Sequence, residues 1–380
     1  MKALISIVSL FTILLVSGCL GSGGSSTATP TLAFLYLVGM GDNSIRLLNQ
    51  KTTGELNPAL ISAFTTSPRP VSLALHPSKN FIYAANQTAN TVSGYSVDHT
   101  NGILTPVGSA LPPTPVCSST SVCSNPVSIG INSAGTFLFT LNQGVASTVP
   151  ASISVFSIDT TRGLLTPVAG SPFPFASLVA PNPQFLTVSP NAGFLYVSNG
   201  VSGTISAFSI AASGALSEVA GSPFTAGASM AGLRIDPKGQ FLYAADSVNS
   251  KIAGFTVAVS GALAPVAGSP FTTDLGPVSL AIDSSSAFLF CANQGGASAT
   301  VFKITSGALT QVGAPYPLVP SGTPQPSVVI VDPSNTFVYV GNTGSRSITA
   351  FSVKSDGTMT QLTNSPFLQS LGPQSIVMTQ

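Results

Sequence analysis

The chain has 380 residues, of which 12 are Lys or Arg and 11 are Asp or Glu, giving a formal net charge of +1. Charged residues make up only 6% of it, which excludes the basic, counterion-releasing surface that nucleic-acid binding needs and rules out long-range electrostatic steering of a ligand. Ser, Thr, Asn and Gln must therefore solvate a sequence that is 44% hydrophobic and contains no tryptophan.

The first element in chain order is an address. Met1-Lys2 precedes an apolar run from Ala3 to Val16 and then Ser17-Gly18-Cys19, the charged start, hydrophobic middle and small-residue end of an export signal. The Val16-Ser17-Gly18-Cys19 ending resembles a bacterial lipobox, so residues 1–18 are expected to be a leader and Cys19 the lipidated mature N-terminus, attached to the membrane. Gly21-Ser22-Gly23-Gly24-Ser25-Ser26-Thr27 then reads as a flexible tether within residues 19–31. Leu20, standing where Asp would retain a lipoprotein at the inner membrane of enteric bacteria, points to the outer membrane or the cell surface.

From residue 32 to 380 one pattern repeats seven times. Its copies begin at Phe34, Phe81, Phe137, Phe194, Phe241, Phe288 and Phe337. A period of about 40 to 50 residues containing only strand signals predicts an all-β, seven-bladed propeller. In the copy at Phe288 the inner strand is read over Pro277 to Ile282, the second over Ala287 to Ala292, the third over Ala299 to Ile304 and the outer over Ala308 to Val312. The first copy enters at its second strand, Ala33 to Val38. The chain ends in Gly372-Pro373-Gln374-Ser375-Ile376-Val377-Met378, which matches Gly276-Pro277-Val278-Ser279-Leu280-Ala281-Ile282. The C-terminus is thus expected to supply the missing inner strand and close the ring.

Most distinctive residues are absorbed by this period. Tyr36, Tyr83, Tyr196, Tyr243 and Tyr339 share one strand position and are expected to pack blades; endings such as Gly170-Ser171-Pro172-Phe173 are expected to be structural turns. Asp236, Asp283 and Asp332 recur in one turn, better suited to capping backbone amides than to holding a metal, so no metal site is expected. His76 and His99 fall in turns on the face opposite the long loops, out of reach of a channel substrate. No phosphate-binding glycine loop or serine-nucleophile elbow is present, and no cofactor is implied. Cys117 and Cys123, six apart in one loop, are expected to form a disulfide outside the cytoplasm, and Cys291 to be a small buried hydrophobe.

What departs from the period is the candidate site. The loops that exceed the repeat, Leu111 to Asn125, Gly144 to Pro150, Pro174 to Pro183 and Pro315 to Pro324, all fall on one face. Arg69, just before an inner strand, and Arg234, inside one where other copies carry Ala74, Gly130, Thr187, Ala281, Ile330 and Val377, are candidate anion contacts. Asp274 lies on the same side, and Tyr316, in an insertion, is the tyrosine free to stack on a sugar.

The run Pro70-Val71-Ser72-Leu73-Ala74-Leu75-His76-Pro77-Ser78-Lys79-Asn80-Phe81-Ile82-Tyr83-Ala84-Ala85-Asn86 resembles the repeat of the lactonase family of seven-bladed propellers, which includes 6-phosphogluconolactonase-like enzymes and lies close to the YVTN-type surface propellers. The resemblance extends from about Leu32 onward and implies a central channel suited to an anionic lactone. Active members often carry Pro-Arg-His at the channel end of an inner strand; here those places hold Val71 and Ser72, and no other copy supplies the pair. The sequence is therefore read as a monomeric, lipid-anchored envelope propeller that serves as a binding or scaffold module, taking a small molecule, glycan or envelope protein at its long-loop face. The alternative is a divergent lactone hydrolase, for which Arg234 and Ser72 are the catalytic candidates.

Overall fold

The computed structural model describes residues 31–108, 125–144, 150–175, 182–191, 193–318 and 323–379. The leader, Cys19, the tether up to residue 30, the Cys117 and Cys123 pair and the central parts of the long loops lie outside them. The described residues form seven antiparallel sheets arranged as blades, and every strand lies within residues 31–378. In the sixth blade the strands are Pro277–Ile282, Phe288–Asn293, Ser298–Thr305 and Ala308–Gln311. The second strand is buried along nearly its whole length, because it is covered on both faces by neighbouring blades, and this explains its continuous apolar run.

The turn between first and second strands is set by the repeated aspartate. Asp236 Oδ1 accepts from Gln240 N–H at 2.6 Å and Phe241 N–H at 2.7 Å; Asp283 does the same for Ala287 and Phe288 at 2.8 and 2.7 Å, and Asp332 for Thr336 and Phe337. The Ser-Pro-Phe endings are turns that also start a further, two-residue strand, such as Phe224–Thr225, pairing with the third strand of its blade. The serine hydroxyl accepts a third-strand amide, for example Ser222 from Ala207 N–H at 3.0 Å and Ser365 from Ala350 N–H at 2.8 Å, across cis Ser–Pro bonds. Two residues are too short for a period-two signal, so this strand was not legible in the sequence.

Adjacent blades are joined by a repeated aromatic contact. The fully buried Tyr83 donates its hydroxyl to Gly163 O of the next blade at 2.9 Å; Tyr36, Tyr196 and Tyr243 donate to Gly102, Gly261 and Gly307 in the same way. The junction that closes the ring is equivalent: Tyr339 donates to Gly54 O at 2.8 Å. Gly54 has φ +82°, and a Cβ there would lie 2.4 Å from the Phe337 ring, so only glycine fits the turn against the aromatic.

Closure is completed by strand exchange between the ends of the chain. Gly372–Met378 pairs antiparallel with Thr31–Met40 in a sheet that also holds Ser44–Lys51 and Leu56–Thr65. Thr379 N–H donates to Phe34 O at 2.9 Å, and Phe34 N–H returns a bond to Thr379 Oγ1 at 3.2 Å. The C-terminal strand is therefore the inner strand of the first blade, and both ends of the described chain reach the face that carries the aspartate turns.

Candidate functional site

The seven inner strands surround a central channel. Most begin with proline opposite an asparagine, as Pro70 opposite Asn86 and Pro277 opposite Asn293, followed by a shift of register. Proline suits a strand's first position, where the ladder does not need its N–H. The residue before it turns left-handed: φ is +59° at Asn125, +41° at Asn182, +62° at Gly276, +48° at Gln325 and +57° at Arg69. Asparagine and glycine tolerate this region, whereas an arginine there costs about 1 kcal/mol. Arg69 is exposed, and its guanidinium has no hydrogen bond or ion pair among the described residues.

A cavity of about 600 Å³ opens on the loop side of the channel, where Arg69, Gln87, Gln184, Ser327 and Gln374 line it, and runs inward past Arg234 to Leu75, Ile131 and Val188. The two sequence-predicted arginines thus meet in one cavity. Gln374 Oε1 is buried without a hydrogen-bond partner among the described residues. Arg234 donates from Nε to Leu280 O at 2.9 Å, and its Cζ lies 5.5 Å from the centroid of the Phe185 ring. Its side chain is partly open to the channel but densely surrounded by protein. Burial pushes it down from the ordinary arginine value, which still leaves it charged at neutral pH. No carboxylate pairs with it among the described residues.

Residues 1–30, 109–124, 145–149, 176–181, 192, 319–322 and 380 contain no Asp, Glu or His, so every acidic and imidazole side chain belongs to the described residues, and none of them lines the loop-side cavity. Asp42 is paired with Arg46, whose Nε lies 2.9 Å from Oδ2. Asp246 occupies the asparagine position of other blades; burial works against its charge, but amides of Ala228, Asn249 and Ser229 hold its carboxyl below the usual range. Asp274 accepts from Leu275 N–H at 2.8 Å and Ser298 Oγ–H at 2.6 Å, organising its own loop outside the cavity lining.

The other candidates are built into the repeat. Ser72 lines the cavity, but its Oγ accepts from Ile129 N–H at 3.3 Å, one of several ties between inner strands in which Ser128, Ser279 and Ser375 accept from Leu186, Val329 and Leu73. No imidazole or carboxylate is present there to take its proton. Tyr316, expected as a free stacking platform, corrects that expectation. It forms the two-residue strand of the sixth blade, packs its ring 6.1 Å from Phe351 and accepts Met359 N–H at 3.0 Å, filling the place of Phe224 and Phe271.

His76 is buried in its turn, where Nδ1 accepts from Ser78 N–H at 3.1 Å and Nε2 faces Gly135 O at 2.9 Å. His99 is exposed beside Asn80, 2.8 Å away. Cys291 is a free buried cysteine whose thiol burial pushes up to about 12. The Arg234–Phe185 contact was missed in the sequence. Its one signal is that Phe185 stands where other inner strands carry Ser72, Ser128, Gly232, Ser279, Val328 and Ser375.

A family model described as Lactonase, 7-bladed beta-propeller matches residues 27–120 and 216–323. Among solved structures, a candidate 6-phosphogluconolactonase from Bacteroides uniformis superposes with a TM-score of 0.74 at 18% identity, covering 91% of this chain and 99% of that one. The Pseudomonas aeruginosa periplasmic gluconolactonase PpgL gives 0.73 at 17% identity, covering 92% and 99%. A functionally unknown protein from Desulfotomaculum acetoxidans gives 0.70 at 14% identity, covering 91% and 98%. At such identities the likeness is one of fold. No curated protein matches the chain in sequence.

Proposed function

The chain belongs to the seven-bladed β-propeller lactonase family, and we propose that within it this protein is a binding module that holds a small organic anion in the loop-side channel without hydrolysing it. One observation carries this reading: Arg69 and Arg234 line one cavity, while no Asp, Glu or His side chain is among the residues that line it. Two guanidiniums without a counter-charge favour an anion in a partly desolvated site. Activating water on a lactone requires a base within hydrogen-bond reach, and this cavity offers neutral amides and hydroxyls instead.

The protein works, in this reading, from the cell envelope, tethered through Cys19 at the outer membrane or cell surface. The lipobox-like ending supports the anchor. Because Thr31–Met40 starts at the face of the aspartate turns, a tether leaving there directs the long-loop face and the arginine-lined mouth away from the membrane.

Calorimetric titration of the chain beginning at Gly21, which keeps every strand, tests this with gluconate and 6-phosphogluconate. The expected result is binding that weakens as salt is raised and falls about tenfold or more in Arg69→Met and in Arg234→Met. Binding of unchanged strength in the double variant would overturn the reading.

A further inference from the structure

Arg234 also lines a second cavity, of about 380 Å³, at the end of the channel where the aspartate turns lie, which adjoins the first through Leu75, Arg234, Ile376 and Val377. The two ends differ in chemistry. Around Arg234 the turn-side mouth is formed by Leu75, Ile235, Ile282, Val331, Val377 and Met378 with flanking prolines, and among the described residues Arg234 is the sole polar side chain that lines it. Leu75, Ile282, Val331 and Val377 are only half-buried, so a collar of aliphatic surface around Arg234 is left partly open to water.

The guanidinium at its base is incompletely used. Nε is engaged by Leu280 O and one face rests on Phe185, but the two terminal nitrogens have no hydrogen-bond partner among the described residues. Their fork matches the two oxygens of a carboxylate. A sugar acid would find no hydroxyl or amide in this mouth to satisfy its hydroxyl groups, whereas an alkyl chain would cover surface that is now hydrated.

We infer that the turn-side mouth is a second binding site, which takes a monocarboxylate with an unbranched aliphatic tail, its headgroup on Arg234 and its tail along the collar of Leu75, Ile282, Val331 and Val377. This rests on the reading above in one respect, that the Arg234 guanidinium is available to an anion. The tail, its orientation and the face of approach are additional to that reading.

Titration of the chain beginning at Gly21 with octanoate, butanoate, octylamine and gluconate tests it. Octanoate is expected to bind, octylamine not to bind, and affinity to rise from butanoate to octanoate by about fourfold for each methylene that becomes buried. Arg234→Met is expected to abolish octanoate binding with an unchanged melting temperature. The double replacement Ile282→Gln and Val331→Gln, at half-buried positions, is expected to weaken octanoate and leave gluconate unaffected in protein whose cooperative thermal transition is retained. Octanoate binding that survives Arg234→Met, or that ignores the collar replacements, overturns the inference. Gluconate binding without octanoate binding overturns it while leaving the loop-side reading intact, and octanoate binding without gluconate binding does the reverse.

Discussion

The junctions between blades and the wall of the channel are built by the same seven repeats, yet one is uniform and the other is not. At the junctions a phenylalanine packs against a left-handed glycine of the next blade all round the ring, as Phe81 against Gly163, Phe194 against Gly261 and Phe337 against Gly54. One layer inward, equivalent positions read Ala74, Gly130, Thr187, Arg234, Ala281, Ile330 and Val377. Residues that follow the period hold the ring together, and those that break it are free to contact a ligand. Arg69 and Arg234 break it with charge, and Arg69 does so in a left-handed backbone conformation where other blades use asparagine, glycine or glutamine.

The comparison breaks most severely if the ring is opened. Removing residues 370–380 takes away the inner strand of the first blade, exposes the edge of Thr31–Met40 and leaves the channel wall with a gap. Loss of a single cooperative thermal transition is expected; a melting temperature equal to that of the intact chain would show that the clasp is dispensable. A smaller effect is expected at one junction. Gly54→Ala forces a Cβ against Phe337 and strains a left-handed turn, for a loss of about 3 kcal/mol in chemical denaturation with anion binding preserved in the folded fraction.

The smallest effect concerns Asp246, a structural position that departs from the repeat by one atom type. Its folded carboxyl is depressed by backbone amides, so its contribution is present above the unfolded value of about 4 and is lost as pH falls through the folded value. Asp246→Asn, which restores the residue found in other blades, is expected to change stability little at neutral pH and to flatten the acid-side decline. An unchanged decline as pH falls below about 4 would show that this carboxylate is not linked to folding.

Periodicity explains how much of the molecule was legible. A phenylalanine every 47 to 57 residues, the turn aspartates and the match of residues 372–378 to 276–282 were enough for blade number, strand order and closure, because each reports a backbone requirement met many times over. Arg69 and Arg234 were visible for the opposite reason, as charges where the repeat has none. Tyr316 was misplaced because Ala314-Pro315-Tyr316 lacks the Ser-Pro-Phe spelling of its equivalents, although its ring does the same packing. The Phe185 platform and the aliphatic collar were hidden because they arise between blades, where residues 46 or more apart meet through ring geometry and leave no local pattern.

The most direct test of the account is hydrolysis of a lactone panel, containing 6-phosphogluconolactone and neutral lactones, by the folded chain beginning at Gly21. The account predicts no turnover above that of the Arg69→Met and Arg234→Met double variant, since the cavity holds cations without a base. Turnover by the unaltered chain that Arg234→Met or Ser72→Ala abolishes would contradict it and place lactone chemistry in the channel.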